Sequence, residues 1–100
     1  MARVRLDLNH DEFLNDWFAL EREDQLALFG TFRKIRQMDW EDLYRDKGIR
    51  WEAVQTRQGP TGQRVYSLRI TRRVRAIAYR EGNLLCFLAI HPDHYSAYKK

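Results

Sequence analysis

The sequence lacks the features that mark secreted and membrane proteins. Its 100 residues include one cysteine, so no disulfide can form within the chain. No apolar run approaches the ~20 residues of a membrane-spanning helix, and no N-terminal stretch resembles a signal peptide. These absences predict an intracellular, cytoplasmic protein that makes no contact with a membrane.

Motifs for cofactors, metals and activated nucleophiles are scarce as well. The chain has no glycine-rich phosphate loop, no nucleophile elbow and no CxxC pair. His91 and His94 have a metal-like spacing, but with Asp93 they fall short of the roughly four donors of a closed zinc site. Cys86 lies in an apolar run and is expected to be a small buried hydrophobe. We therefore expect neither a metal nor a cofactor.

No acidic residue occurs from Arg64 to Arg80, at the start of the C-terminal third. Residues 64–100 carry 8 basic and 2 acidic side chains, whereas residues 1–63 carry 10 and 12. This asymmetry predicts a polyanionic partner for one part of the molecule; the alternative is a solvated basic face without a partner. The six arginines of the acid-free stretch are Arg64, Arg69, Arg72, Arg73, Arg75 and Arg80.

The N-terminal half has the pattern of a strand followed by a helical hairpin. The run Arg3–Leu8 alternates polar and apolar residues, and Asn9 with Glu12 three positions later predicts a capped helix start. A charged break at Glu21–Asp24 is expected to separate this helix from a second one. Two apolar stripes at helical spacing are expected to face the core. They contain Phe13, Leu14, Trp17, Phe18 and Leu20, and then Leu28, Phe29, Phe32 and Ile35.

The C-terminal half has the pattern of an antiparallel meander. A short helical turn capped by Asp39 precedes it, and Gly82-Asn83 is expected to form a two-residue hairpin loop. The last strand is almost continuously apolar and should be buried on both faces. The predicted strands are Ile49–Thr56, Arg64–Ile70, Val74–Arg80 and Leu84–Ile90. The fold class is therefore predicted to be α+β, with an N-terminal strand and a helical hairpin packed on one face of a small, twisted, mainly antiparallel sheet. Residues 1–100 are expected to form one domain.

Strand alternation decides which arginines could act together. Ser67 and Arg69 share one face of their strand, as do Arg75 and Ile77 on the next. If the helices cover the other face, Arg69 and Arg75 would meet on the open one. The sequence does not determine the register that this requires.

The segments Val65–Ile70, Val74–Tyr79 and Gly82–Ile90, followed by His91–Tyr95, occur in a characteristic order and spacing. In this they resemble the RelE/ParE superfamily of toxins from bacterial toxin–antitoxin modules. The resemblance implies a RelE-like microbial ribonuclease fold and an endoribonuclease toxin, an mRNA interferase that cleaves mRNA, typically on the ribosome, without a metal. It also implies a cognate antitoxin that covers the basic surface. The ParE branch of the superfamily instead inhibits DNA gyrase without cleaving nucleic acid.

The same resemblance implies roles for particular residues. Arg69 and Arg75 would hold the scissile phosphate, because arginine grips phosphate at two points. His91 and His94 would act as acid and base, with Tyr95 as a further proton donor or a stacking surface. Arg72 and Arg73 would contact neighbouring phosphates or ribosomal RNA, and Arg64 and Arg80 are further candidate RNA-binding residues. The alternatives are ordinary exposed strand arginines, a structural cap at His91, a solvated His94 and a tyrosine that closes the sheet edge.

Overall fold

The chain combines a mixed sheet with three helices in the part described by the computed structural model, residues 2–91. The first strand precedes all three helices, and the other four strands follow them. In chain order the elements are β1 (Arg5–Asp7), α1 (Asp11–Ala19), α2 (Arg22–Arg36), α3 (Trp40–Arg45), β2 (Glu52–Gln58), β3 (Arg64–Arg69), β4 (Arg75–Glu81) and β5 (Leu84–His91). None of the helices within this range is both long and apolar enough to span a membrane.

The five strands form one sheet in the order β1-β5-β4-β3-β2. β1 runs parallel to β5, and every other neighbouring pair is antiparallel. β5 is thus flanked on both sides, and its residues 85–90 are buried, as its apolar sequence predicts. The tight turn before it contains Gly82, whose φ of +62° is readily adopted by glycine. The predicted α+β architecture, with helices packed on a mainly antiparallel sheet, is confirmed.

The helix starts are predicted with mixed success. α3 begins with the expected Asp39 cap, which accepts a hydrogen bond from the Asp42 amide at 2.9 Å in a complete capping box. The predicted Asn9 cap is wrong, because α1 starts at Asp11 and the Asn9 amide instead donates to Asp7 Oδ1 at 3.1 Å. The break before α2 is also shorter than expected. The acidic residues at 23 and 24 lie in its first turn, where the helix dipole favours negative charge.

The main core lies between the helices and one face of the sheet. Its centre is a cluster of three aromatic rings. The ring of Phe87 on β5 lies 5.2 Å from Phe13 on α1 and 5.2 Å from Phe32 on α2, between ring centroids. These distances are typical of favourable tilted or edge-to-face pairs. The core prediction is wrong for Phe18 and Phe29, which are 67% and 52% exposed, because each lies outside the part of its helix that is covered by the core.

The other face of the sheet carries a second, smaller core. It consists of Val65, Ile77, Leu88 and Ala89. A bulge between β4 and β5 shifts the pairing after Ile77, so both Leu88 and Ala89 join this cluster. This face is therefore buried at its centre, whereas the sequence predicted a partly open surface. Polar and charged residues surround the apolar centre and form the candidate site.

Candidate functional site

The strand register brings three of the predicted site residues into one row. Arg69 on β3 pairs with Arg75 on β4, and Arg75 pairs with His91 on β5. Directly opposed residues on neighbouring strands point to the same face, with Cβ atoms roughly 5 Å apart. Their chain neighbours Leu68, Ala76 and Ile90 belong to the helix-side core. The row of Arg69, Arg75 and His91, here called the Arg–His row, therefore lies on the face away from the helices.

Arg75 stands at the centre of the row and is buried. Its side chain is 9% exposed, and its Nη1 atom makes no hydrogen bond to any residue from 2 to 91. The Oε1 atom of Glu52 lies 3.9 Å from Nη1, which is ion-pair range but too long for a hydrogen bond. Arginine does not give up its proton in proteins. The site thus contains a buried cation that Glu52 neutralises only in part.

Glu52 belongs to the candidate site, although the sequence did not predict it. Its carboxylate is 51% exposed and lies between two guanidinium groups, with Oε2 3.4 Å from Arg50 Nη2 and Oε1 facing Arg75. Its strand partner on β3 is the buried Ser67. The ion pair brings Glu52 next to Arg50, but only the pairing of β2 with β3 reveals that the same face of the sheet also carries Arg75.

The backbone at Arg50 is strained. Its φ of +52° lies in the left-handed region, which residues other than glycine seldom adopt. The conformation occurs between two fixed contacts: the Arg50 amide donates to Asp46 O at 3.1 Å, and Ile49 O accepts from the Arg69 amide at 2.7 Å. The kink thus starts β2 beside β3, in the register that places Glu52 near Arg75. Strain held by surrounding contacts is often found at functional sites.

The remaining predicted arginines divide into two groups. Arg72 and Arg73 are exposed on the turn that joins β3 to β4, next to the Arg–His row. Thr71 shapes this turn, since its Oγ1 accepts from the amides of Arg73 at 3.2 Å and Val74 at 3.1 Å. Arg64 is exposed at the opposite end of β3, about 16 Å from Arg69 along the strand. The row and the turn together therefore make a cationic end of the sheet that Arg64 does not join.

Arg80 lies on the helix side of the sheet, away from the row. Its guanidinium carbon is 4.2 Å from the centre of the Trp40 ring. Its Nη1 donates to Tyr44 Oη and its Nε to Gly82 O, each at 2.7 Å. These contacts hold the arginine against α3 through cation–π attraction and two hydrogen bonds. The geometry gives Arg80 a structural role.

His94 and Tyr95 lie outside the described residues, so their predicted roles stay predictions. Within residues 2–91, no three His, Cys, Asp or Glu side chains are grouped closely enough to hold a metal ion. The Arg–His row with Glu52 offers other chemistry. Two guanidinium groups can bind a phosphate, a carboxylate can take up a proton, and an exposed imidazole can accept or donate one.

A second polar row crosses the same face nearer the β1 edge. Cys86 on β5 pairs with Asp7 on one side and with Tyr79 on the other, beside a cavity of about 150 Å³. Burial is the main cause that raises the pKa of both the Cys86 thiol and the Tyr79 phenol. Because the thiolate is the reactive form of cysteine, the raised pKa makes Cys86 a poor nucleophile.

No family model matches the chain, and no curated protein matches it. A similar solved structure is the crystal structure of a copper-bound mutant toxin from Helicobacter pylori. The two share 15% sequence identity and superpose with a TM-score of 0.54, over 95% of this chain and 99% of that one. The chain therefore has, over almost its whole length, the fold of that toxin.

Proposed function

We propose that this chain is a toxin of the RelE type, an endoribonuclease that cleaves mRNA and is neutralised by an antitoxin. The observation that carries the proposal is the convergence of Arg69, Arg75 and His91 in one row, with Glu52 beside it. These side chains come from four strands and include each type of group that RNA cleavage without a metal requires. The fold shared with a toxin supports the proposal that this chain is a toxin, and the RelE type and the cleavage of mRNA rest on the residues of the row.

The reaction follows from the chemistry of RNA itself. The 2′-hydroxyl attacks the adjacent phosphorus, the bond to the 5′-oxygen breaks, and the products are a 2′,3′-cyclic phosphate and a 5′-hydroxyl end. Glu52 takes the proton from the 2′-hydroxyl, and His91 gives a proton to the leaving 5′-oxygen. General acid–base help of this kind is worth roughly 10²–10⁴-fold in rate. In this scheme His94 and Tyr95 are further proton donors or stacking groups.

The two arginines of the row have different parts in this scheme. Arg69 is half-buried and reaches solvent, so it is the one that contacts the scissile phosphate first. Arg75 is buried and faces Glu52, so its charge positions the carboxylate and adds to the positive potential beneath the phosphate. Arg72 and Arg73, exposed on the neighbouring turn, bind phosphates further along the strand.

Induction of the chain alone in a bacterial host tests the proposal. The wild type is expected to arrest growth and to create new transcript ends that carry a 5′-hydroxyl. Glu52→Gln, Arg69→Ala and His91→Ala are each expected to relieve both effects. Arg45→Ala is a matched control, since Arg45 is an exposed arginine on α3 whose ion pair with Glu41 lies far in sequence from the row. Normal growth at confirmed expression of folded wild-type protein would contradict the proposal.

A purified assay separates the chemistry from other causes of growth arrest. The protein is incubated with RNA, with and without ribosomes, and the ribosome-free reaction is repeated in the presence of a chelator. Cleavage is expected to persist in chelator and to disappear when a 2′-deoxynucleotide replaces the nucleotide at the cut. Cleavage that survives this replacement would show that the 2′-hydroxyl is not the nucleophile.

The burial of Arg75 favours a second candidate function. A guanidinium that is 9% exposed fits a structural role, and the domain would then bind its target without cleaving it. That target would be DNA gyrase, as in the ParE branch, or nucleic acid bound by a module without toxicity. Growth arrest with intact transcripts and a DNA-damage response would identify a gyrase inhibitor. Salt-sensitive RNA binding without cleavage or growth arrest would identify the binding module.

A further inference from the structure

The helical hairpin carries an exposed apolar surface on the side of the molecule opposite the Arg–His row. Phe18 at the end of α1 is 67% exposed, and Leu26 and Phe29 on α2 are 60% and 52% exposed. The three side chains, here called the hairpin patch, surround a depression of about 380 Å³ that Trp17 and Gln25 complete. Large apolar side chains gathered in one exposed place commonly mark an interaction site.

Charges border this patch in a regular pattern along α2. Arg22, Leu26, Phe29 and Arg33 are spaced by four, three and four residues, so they lie along one face of the helix. The stripe therefore has a cation at each end and two apolar residues between, over about 16 Å of helix. Both arginines are exposed, and neither makes an ion pair with any residue between 2 and 91.

Gly30 stands beside Phe29, in the interior of a 15-residue helix. Glycine disfavours a helix relative to alanine, so an interior glycine usually has a packing reason. No such reason exists among the described residues, because a Cβ added at Gly30 would meet nothing within 4 Å. A bare stretch of backbone next to an apolar side chain lets another chain approach closely.

We propose that the hairpin patch is the docking surface for an acidic amphipathic helix of a separate protein. The matching helix carries two acidic residues eleven positions apart, with apolar residues at the fourth and seventh positions between them. It places its acids on Arg22 and Arg33 and its apolar side chains against Leu26 and Phe29. The spacing of the stripe is the same in both directions, so parallel and antiparallel docking fit equally.

Charge argues against a second copy of this chain as the occupant. Two stripes packed antiparallel would bring Arg22 of one copy near Arg33 of the other, and two packed in parallel would bring like residues together. Like charges at such contacts oppose association. The proposal is independent of the RNA-cleaving function, since the patch and the Arg–His row lie on opposite faces of the sheet.

Designed helical peptides test the proposal on the full chain. The acidic probe has glutamates at positions 1 and 12 and leucines at positions 5 and 8 on an alanine–glutamine background. A second peptide has lysines in place of the glutamates, and a third has serines in place of the leucines. Titration calorimetry is expected to show roughly tenfold tighter binding of the acidic probe than of the lysine peptide, with a preference that weakens in salt. The serine peptide should not bind measurably.

Variants of the chain show whether the contact is the one proposed. Exchange of both stripe arginines, Arg22→Glu with Arg33→Glu, should reverse the preference toward the lysine peptide. Arg45→Glu should leave the preference unchanged, and Phe29→Ala should weaken binding of the acidic probe. All four positions are exposed, so circular dichroism should confirm an unchanged fold.

Equal binding of the acidic and lysine peptides would overturn the proposal. So would an unchanged preference in the exchanged variant, or no binding of any soluble helical probe. A dimer in sedimentation that Phe29→Ala abolishes would instead assign the patch to a second copy of the chain.

Discussion

Replacement of Arg75 by methionine should stabilise the fold and abolish the proposed activity together. The guanidinium is buried on β4, and its Nη1 atom has no hydrogen-bond partner among residues 2–91. A buried donor without a partner costs roughly 1–3 kcal/mol. Methionine keeps the length and much of the apolar stem of arginine while it removes the charge, so this cost disappears in the variant.

The ion pair between Arg75 and Glu52 stabilises the wild type, so its loss in the variant lowers the free energy of unfolding. Unit charges 3.9 Å apart attract by about 4 kcal/mol at an effective dielectric constant of 20. Glu52 is half exposed, so solvent screening reduces the net value of the pair to about 1 kcal/mol. The loss of this pair is smaller than the gain from removing the unpaired donor. Arg75→Met should therefore raise the free energy of unfolding by about 1 kcal/mol.

Urea denaturation in a double-mutant cycle measures both the net effect of removing the buried guanidinium and the stabilisation by its ion pair with Glu52. The cycle consists of the wild type, Arg75→Met, Glu52→Gln and the double variant, compared at equal denaturant slopes. The expected coupling between Arg75 and Glu52 is about 1 kcal/mol. Glu52→Gln alone should lower the free energy of unfolding, because it leaves Arg75 without an ion pair to any residue between 2 and 91. A loss of more than about 2 kcal/mol in the unfolding free energy of Arg75→Met would contradict this expectation and show that the guanidinium is well paired.

Three further predictions concern residues around the site and the fold. Arg50→Gly should leave the fold stable or raise its unfolding free energy by up to ~1 kcal/mol in thermal or urea unfolding, because glycine relieves the strain at a φ of +52°. Burial acts to raise the pKa of Asp46, but hydrogen bonds from the Ile49 amide and Lys34 outweigh it and leave the pKa lowered. Asp46→Asn should therefore lower the free energy of unfolding by about 1 kcal/mol at neutral pH. Urea unfolding at a series of pH values should show that this difference shrinks as pH falls below ~4 and Asp46 of the wild type becomes protonated. Arg80→Ala should cost about 1–2 kcal/mol and alter Trp40 fluorescence, and an unchanged emission spectrum would contradict the stacking.

The fold was predictable where local sequence and tertiary packing agree. The last hairpin is specified locally, by the apolar run of β5 and the Gly82-Asn83 turn before it. Asp39 at the start of α3 acts as the helix cap that its position in the sequence predicts. The helix cap at Asn9 was not predictable in this way. Its amide is engaged by Asp7, a contact that depends on how β1 leads into α1.

The exposure of Phe18 and Phe29, which their helical spacing placed in the predicted core, has a simple physical cause. Helical spacing identifies every apolar residue near one side of a helix, but the core covers only part of that side. Phe13 and Phe32 reach Phe87, whereas Phe18 and Phe29 remain outside this contact and form the hairpin patch together with Leu26. Two residues whose helical spacing predicted a place in the core therefore lie on the surface proposed to bind a partner helix.

The candidate site was predictable in its residue types but not in its assembly. Alternation indicated that Arg69 and Arg75 could share a face, and the observed register pairs them directly. Glu52 was not identified because its relevance depends on how β2 pairs with β3, across a hairpin with an irregular register. Pairing between strands is a property of the whole sheet, and one sequence does not specify it.

Mapping of transcript 5′ ends after induction is the sharpest test of the proposed mRNA cleavage by the Arg–His row. The wild type and His91→Ala are expressed to equal levels in the same host, and 5′-hydroxyl ends are sequenced before and after induction. New ends are expected within coding sequences for the wild type, and few or none for the variant. Arrested growth with unchanged transcript ends, or equal new ends in both strains, would contradict it.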